Sequence, residues 1–427
     1  MRAAALPSFA AIEERTETAR LLAAALVFGG VIFNFVLCIV NAKIFSISPA
    51  IVMLAEMGLI GASLALMAKD ATALTVILLG FMSYAAFLSA MRASVDLKAI
   101  RDVIIPIIFL FLGRRFGSAS MGDRLVELCV WTVLIVGVCE YSFLTQYLKI
   151  VDIRSYYVAR GTVDPASIDT TGTGLFASGI RPEGRTLLPF LGAHRVSSIF
   201  LEPVSMGNFG AIVFAWIALR NFSKPARLAI ELIPAVAVFV MADARFGLMV
   251  SLTAFIIYPA SRHVGRVILL LAPFFVIFAL AVNGFLNADV IWDNGLKGRM
   301  ILSGQMLSHL DFWEAMGFIP VTRFVSDSGY TYTLAKFGLV GCIGLWSLFT
   351  FAPTASEQAW RYRLFIGFYI TALLIISDSV YSIKTAALAW FLAGCLEAPD
   401  PGDDLPTRDD LPTPDDLPKM EQRAQRI

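Results

Sequence analysis

Charge and metal-binding side chains are scarce in this chain. Only 16% of its 427 residues are Asp, Glu, Lys or Arg, against roughly 25% in a soluble domain. The 34 basic and 33 acidic residues leave a net charge of +1, so no basic face for nucleic acid is implied. Three histidines (His194, His263, His309) are too few and too scattered for a metal site. Cys38, Cys129, Cys139, Cys342 and Cys395 all lie in apolar runs, where a thiol behaves as a small hydrophobe. Buried thiols without disulfides are expected. Apolar residues, by contrast, make up 58% of the chain and mean hydropathy is +0.74. That balance belongs to integral membrane proteins.

Apolar runs fall near 21–40, 48–67, 72–91, 103–113, 125–147, 203–219, 228–242, 246–260, 265–286, 330–352, 363–377 and 379–396. The first, from Leu21 to Val40, is long enough to span a bilayer, and no small-residue cleavage site follows it. A signal peptide's apolar core is shorter, about 7–15 residues, so this run reads as a first transmembrane helix. Lipid offers no partner to an exposed backbone N–H or C=O, so the spans must be helical. The expectation is an all-α polytopic membrane domain over 21–397 with about twelve transmembrane helices. The 103–113 run is short and contains Pro106, which predicts a broken or partly interfacial segment.

Lys and Arg in short connections set orientation. Arg15 and Arg20, then Arg114, Arg115 and Arg124, then Arg220, Lys224 and Arg227, share one side of a twelve-span chain. Arg262, Arg266, Arg361 and Arg363 join them. With residues 1–20 cytoplasmic, the two long gaps at 148–202 and 287–329 become large external, periplasmic loops of a bacterial inner membrane protein. Arg92, Lys98 and Arg101 break the rule, because their connection would also be external. Residues 398–427 repeat Asp-Asp-Leu-Pro at 403–406, 409–412 and 415–418 and read as a disordered cytoplasmic tail. No internal duplication of the membrane region is visible.

A charge within a membrane segment costs roughly 2.5–3.5 kcal/mol on insertion scales and is a functional candidate by default. Four places stand out. Arg195 and Glu202 sit where the first loop returns to the membrane, on one face if that stretch is helical, with Pro203 suited to a helix's first turn. Otherwise Arg195 snorkels to headgroups and Glu202 caps a helix. Asp243 and Arg245 lie in a tight external turn, where they either act on a ligand or simply pair. Lys297 and Arg299 precede Met300, Leu302, Met306, Leu307 and Leu310, a run that reads as an amphipathic helix at the outer interface. Asp327, beside Ser326 and Ser328, stands at the start of the tenth span and is a site residue or a helix cap.

The first loop also carries Arg154, Tyr156, Tyr157, Arg160, Arg181, Glu183 and Arg185; the second carries Trp292, Asp293, Asn294, Trp313 and Glu314. Aromatic groups mixed with charges suit an interfacial belt, and equally suit carbohydrate, which offers a C–H face and hydroxyls.

The pattern Arg195…Ser198-Ile-Phe-Leu-Glu202-Pro203…Gly207 resembles the segment by which Wzy-type polysaccharide polymerases and related O-antigen ligases return to the membrane. Asp327-Ser-Gly329-Tyr330 and Lys336-Phe-Gly338-Leu-Val-Gly341 resemble the segment after their second large loop. The likeness covers nearly all the chain except the tail. Ligases tend to have His-Asn where this chain has Ser326-Asp327, which favours a polymerase, most like those of xanthan- and sphingan-type exopolysaccharides. The resemblance implies transfer of a growing glycan from undecaprenyl diphosphate to a hydroxyl of a second lipid-linked oligosaccharide repeat unit. In that reading Arg195 and Arg299 grip the diphosphate, helped by Arg245, Lys98 and Arg101, and Glu202 or Asp327 takes the acceptor's proton. No cofactor is implied; the external loops carry no Asp-x-Asp pair or histidine cluster to suggest a metal. The expected partners are the lipid-linked units, membrane lipids, and a chain-length regulator or export complex. A lipid-linked oligosaccharide flippase, an O-antigen ligase and a structural subunit of an export complex remain as alternatives.

Overall fold

The computed structural model describes residues 9–68, 72–162, 174–293, 295–323, 325 and 327–398. The acidic tail from 399, Asn294 and Ser326 therefore lie outside the described residues. The chain is all-α. Helices α1 (Phe9–Lys43), α2 (Pro49–Met67), α3 (Thr72–Arg92), α4 (Leu97–Phe116) and α5 (Ala119–Ser142) precede the first long connection. That connection holds α6 (Leu144–Ile150), α7 (Ile153–Ala159) and short 3-10 turns. Next come α8 (Pro203–Asn221), α9 (Pro225–Ala242), α10 (Arg245–Ala260) and α11 (Arg266–Leu286). The second connection holds α12 (Leu296–Ser308) and α13 (Phe312–Ala315), followed by α14 (Gly329–Phe351), α15 (Glu357–Leu373) and α16 (Ile383–Glu397).

The starts of these helices follow from local chemistry. The hydroxyls of Ser48, Ser118 and Ser356 each accept a backbone N–H from the first turn of α2, α5 and α15. Pro49, Pro203 and Pro225 take first-turn positions, where no N–H is needed. Eight helices among the described residues are long and apolar enough to cross a membrane: α1, α2, α3, α5, α8, α9, α11 and α14. The remaining apolar runs form α4, α10, α15 and α16, which are shorter or carry more charge.

Helix α4 is not broken. It runs 20 residues through Pro106, with Ile105, Ile108, Phe109 and Leu112 fully buried. It packs backbone to backbone on α16: a Cβ on Gly113 would meet the Phe391 carbonyl at 2.2 Å, and one on Gly394 would meet that of Leu110 at 2.2 Å. The run looked short because Lys98, Arg101 and Asp102, at the helix start, find partners within the protein. Helix α8 is the centre of the bundle, with Met206, Phe209 and Trp216 almost wholly buried. Cys38, Cys129 and Cys395 are buried as expected, but Cys139 is exposed and Cys342 half-buried.

Contacts sort the connections into two ends. At one end Arg114 and Arg363 meet Glu397, Arg220 meets Asp123, and the Trp360 indole donates to Ser261. At the other end lie both long connections. The 92–101 segment joins this second end: Arg92 donates to the Gly317 carbonyl at 2.6 Å and Asp96 pairs with Lys336 at 2.6 Å. The basic residues that broke the charge rule thus sit beside the long connections.

Candidate functional site

The segment from Arg195 to Glu202 is not an α-helix, so these two residues do not share a helix face. Its backbone bonds go elsewhere. Val196 donates to the Met241 carbonyl at 3.0 Å, and the buried Glu140 of α5 accepts the N–H groups of Ser197 and Ser198 at 3.0 and 2.6 Å. Only Ser198–Phe200 coils, as a 3-10 turn, and Leu201 ends it in the left-handed region at φ 64°. The geometry positions Glu202 at the start of α8 with Pro203 next.

Arg195 is committed to the protein. Its Nε donates to Ala242 O at 3.0 Å and its Nη1 to Ser178 O at 2.9 Å. Burial lowers its pKa to about 10, and Arg181, Arg245 and Arg185 push the same way against Asp243. Asp243 is fully buried. It pairs with Arg181 rather than Arg245, and it accepts the N–H groups of Thr186 and Leu187 at 3.1 and 2.7 Å. Arg245 is exposed in the first turn of α10. Arg195, Arg181 and Asp243 therefore form a clasp that holds the first connection on the α9–α10 turn.

Glu202 does not cap α8. Its Oε1 takes the Lys384 ammonium at 2.7 Å and the Ser205 hydroxyl. Lys384, from the first turn of α16, also donates to Phe200 O at 3.3 Å. Burial opposes the Glu202 charge, but Lys384 and Ser205 outweigh it, and its carboxyl is held below the usual range. Arg160 of the first connection adds to this field.

The second group lies around the starts of α4 and α14. Arg299 pairs with Asp327 at 3.2 Å and stacks over Trp292 at 5.6 Å. Ser328, not Asp327, caps α14, which leaves Asp327 for Arg299. Lys98 pairs with Asp378 at 3.3 Å and lies 4.7 Å above the Tyr332 ring. Arg101 bridges Glu56 of α2 and Asp102, at 2.6 Å from the latter, and the Tyr332 hydroxyl donates to Asp102 at 2.7 Å. Asp378 and Asp327 lie close enough to act on one another electrostatically, as do Glu56 and Lys384. One run of charged groups therefore links Glu202, Lys384, Glu56, Arg101, Asp102, Lys98, Asp378, Asp327 and Arg299, alternating in sign except where Asp378 and Asp327 face one another. It is buried at Lys384, Glu56 and Asp102 and reaches the surface at Lys98 and Asp327, whose side chains are 48% and 40% exposed.

Helix α12 is not a surface helix with its apolar face free. It crosses the end of α11, where a Cβ on Gly304 would lie 2.3 Å from the Leu280 carbonyl, and it buries Ile301, Leu302 and Leu307 while Met300 stays outside. Lys297 is exposed.

Of the residues singled out in the sequence, Lys98, Arg101, Glu202, Arg299 and Asp327 fall in this network, Arg195 lies in the neighbouring clasp, and Arg245 is exposed beside that clasp. Sequence reasoning missed Glu56, Asp102, Asp378 and Lys384. Glu56 and Lys384 were readable as lone charges inside apolar runs. Comparison with family models, with curated proteins and with solved structures finds no match to this chain.

Proposed function

We propose that this chain is a membrane glycosyltransferase that polymerises undecaprenyl-diphosphate-linked oligosaccharide repeat units, as Wzy-type polymerases do. In this reading α1–α5, α8–α11 and α14–α16 are twelve spans of a bacterial inner membrane, both termini are cytoplasmic, and the long connections are periplasmic. The observation that carries it is the charged network, built from both long connections and from α2, α4 and α16, which surfaces at Arg299–Asp327 and Lys98–Asp378. That position suits a lipid diphosphate, whose head lies at the membrane edge while its polyprenyl chain stays in lipid.

The chemistry is a displacement at an anomeric carbon. The acceptor hydroxyl oxygen bonds to that carbon and the bond to diphosphate breaks. The electron pair leaves on the diphosphate, and the hydroxyl proton passes to a carboxylate. Arg299, Lys98 and the exposed Arg245 stabilise the leaving diphosphate. Arg101 and Arg195, already bound by protein acceptors, hold that surface in place. Glu202 and Asp327 lie just before α8 and α14, and each enters with a cation attached. A chain-length regulator or export complex fits as a partner on the periplasmic side.

The buried Glu56, Asp102 and Lys384 favour a second reading, a lipid-linked oligosaccharide flippase, because charges inside a helical bundle suit a transport path. Purified protein in vesicles, supplied with lipid-linked repeat units and no other enzyme, separates the two. Longer glycans on undecaprenyl diphosphate support the polymerase. Movement of single units across the bilayer without elongation supports the flippase and overturns the polymerase.

A further inference from the structure

We infer that Asp378 takes the proton of the acceptor hydroxyl, and that Lys98 holds this carboxylate until an arriving diphosphate draws the lysine away. The inference rests on the polymerase reading and assigns a role within it that neither Glu202 nor Asp327 fills as well. A general base must reach substrate, sit out of bulk water and keep an oxygen free of tight partners.

The carboxylates of the network, and Asp96 beside it, differ in exposure or in partners. Asp102 is 1% exposed and is occupied by Arg101 and the Tyr332 hydroxyl. Glu56 is 5% exposed and bound to Arg101. Glu202, at 24% exposed, is similar to Asp378 in exposure, but Lys384 and Ser205 hold its carboxyl below the usual range, which keeps it a weak base. Asp96 binds Lys336 at 2.6 Å and the Ala99 N–H at 3.0 Å. Asp327 is 40% exposed and tied to Arg299. Asp378 fits best: its side chain is 21% exposed, its one cation among the described residues, Lys98, contacts a single oxygen at 3.3 Å, and its other partner is its own backbone N–H.

The surroundings fit the role. Asp378 opens the 3-10 turn Ser379–Tyr381 between α15 and α16, and the Asn208 amide of α8 steadies that turn by donating to Ser379 at 3.2 Å. The charged and titratable groups facing Asp378 are Lys98 from α4, Asp327 and Tyr332 at the start of α14, and Tyr381 of its own turn. Burial pushes the Asp378 carboxyl above the usual range; Lys98 works against this shift and Asp327 adds to it. Lys98 is half exposed, so an incoming diphosphate can compete for it. Exchange of partner leaves Lys98 on the diphosphate and Asp378 free for the hydroxyl. The acceptor oxygen then bonds to the anomeric carbon as its proton moves to Asp378 and the diphosphate departs with the electron pair.

The test uses the full chain in vesicles with lipid-linked repeat units, and initial rates across pH. Asp378→Asn is expected to lower kcat about 100-fold or more, to remove the acidic limb of the rate profile, and to bind undecaprenyl diphosphate at least as tightly as wild type, since Lys98 no longer has a competing carboxylate. Asp378→Glu keeps the limb and serves as the folded control. In kcat/KM, Lys98→Gln moves the acidic limb to higher pH, since the cation that favours the ionised form is gone. Asp327→Asn moves it to lower pH, since a repelling charge is gone. A merely structural Asp378 would not give these opposite shifts. Polymer from wild type, together with a near wild-type kcat in Asp378→Asn or no opposite shifts, overturns the inference and spares the polymerase. No polymer from wild type overturns both.

Discussion

Glu202 and Lys384, 182 positions apart in the chain, meet at 2.7 Å between the starts of α8 and α16. Lys384 is only 4% exposed and the Glu202 side chain 24%, so the ammonium above all depends on its partner. Breaking a buried pair by removing one partner costs about 3–5 kcal/mol, whereas removing both costs far less. Lys384→Met is therefore expected to lower the thermal midpoint in detergent sharply. Adding Glu202→Gln to Lys384→Met should recover most of that loss. A double variant no more stable than the single one would show that the pair does not hold these helices together.

Arg195 and Arg299 carried the same expected role in the sequence but have different surroundings. Arg195 is 8% exposed and bonds two backbone carbonyls, while the Arg299 side chain is 28% exposed beside Asp327. A lysine, with one compact ammonium, cannot reproduce the two directed bonds of Arg195. Arg195→Lys should thus destabilise the protein by about 1–3 kcal/mol, the cost of buried carbonyls left unsatisfied. Arg299→Ala should stay within about 0.5 kcal/mol of wild type in stability, yet lose polymer yield and affinity for undecaprenyl diphosphate. Unfolding curves and lipid binding on the same preparations check both, and equal stability of the two variants would contradict the distinction.

Helix identity was legible in the apolar runs, because each had the length or composition that only a helix satisfies in lipid, whereas α6, α7 and α13 of the long connections were not foreseen. The 103–113 run misled because hydropathy penalises Lys98, Arg101 and Asp102 without knowing that Glu56, Asp378 and Tyr332 will meet them. The same limit explains the missed half of the site. A lone Lys384 in an apolar run signals an interest in charge, but only the fold shows that Glu202 is its partner. Arg195 and Glu202 were misjudged for another reason. Glu140, more than fifty residues earlier, accepts the backbone N–H groups that a helix would have kept, and nothing local to 195–202 records this.

The α11–α12 crossing yields a prediction about action at a distance. Gly284 and Gly304 bring two backbones together so closely that a Cβ on Gly304 would lie 2.7 Å from the Gly284 nitrogen. Ser303, next in line, donates to Ser328 at 2.6 Å and so couples α12 to the start of α14, where Asp327 meets Arg299. Gly304→Ala is expected to push α12 outward at a cost of about 1–3 kcal/mol and to reduce polymer yield without altering a charged residue. Gly344→Ala in α14 has nothing within 4 Å and should be neutral or gain up to about 1 kcal/mol. Thermal midpoints and product length for the two variants decide it.

Helix α14 is interrupted at Gly338, whose φ of 65° and ψ of 163° leave the helical region. The interruption frees backbone groups, and the Tyr84 hydroxyl of α3 occupies them. It donates to Phe337 O at 2.6 Å and accepts the Gly341 N–H at 3.1 Å. No water need enter, so the break is stable within the bundle. Tyr84→Phe keeps the ring but leaves both groups without a partner, at a cost of about 1–3 kcal/mol. Amide exchange at Gly341 should accelerate by the matching factor while amides in α8 stay slow. Gly338→Ala is worse placed, since its Cβ would fall 2.2 Å from the Met316 carbonyl and its φ would be strained. It should yield little folded protein. If Tyr84→Phe exchanged Gly341 at the wild-type rate, the hydroxyl would not be what seals the break, and the turn at Met316–Gly317 packed against Gly338 would have to do so alone.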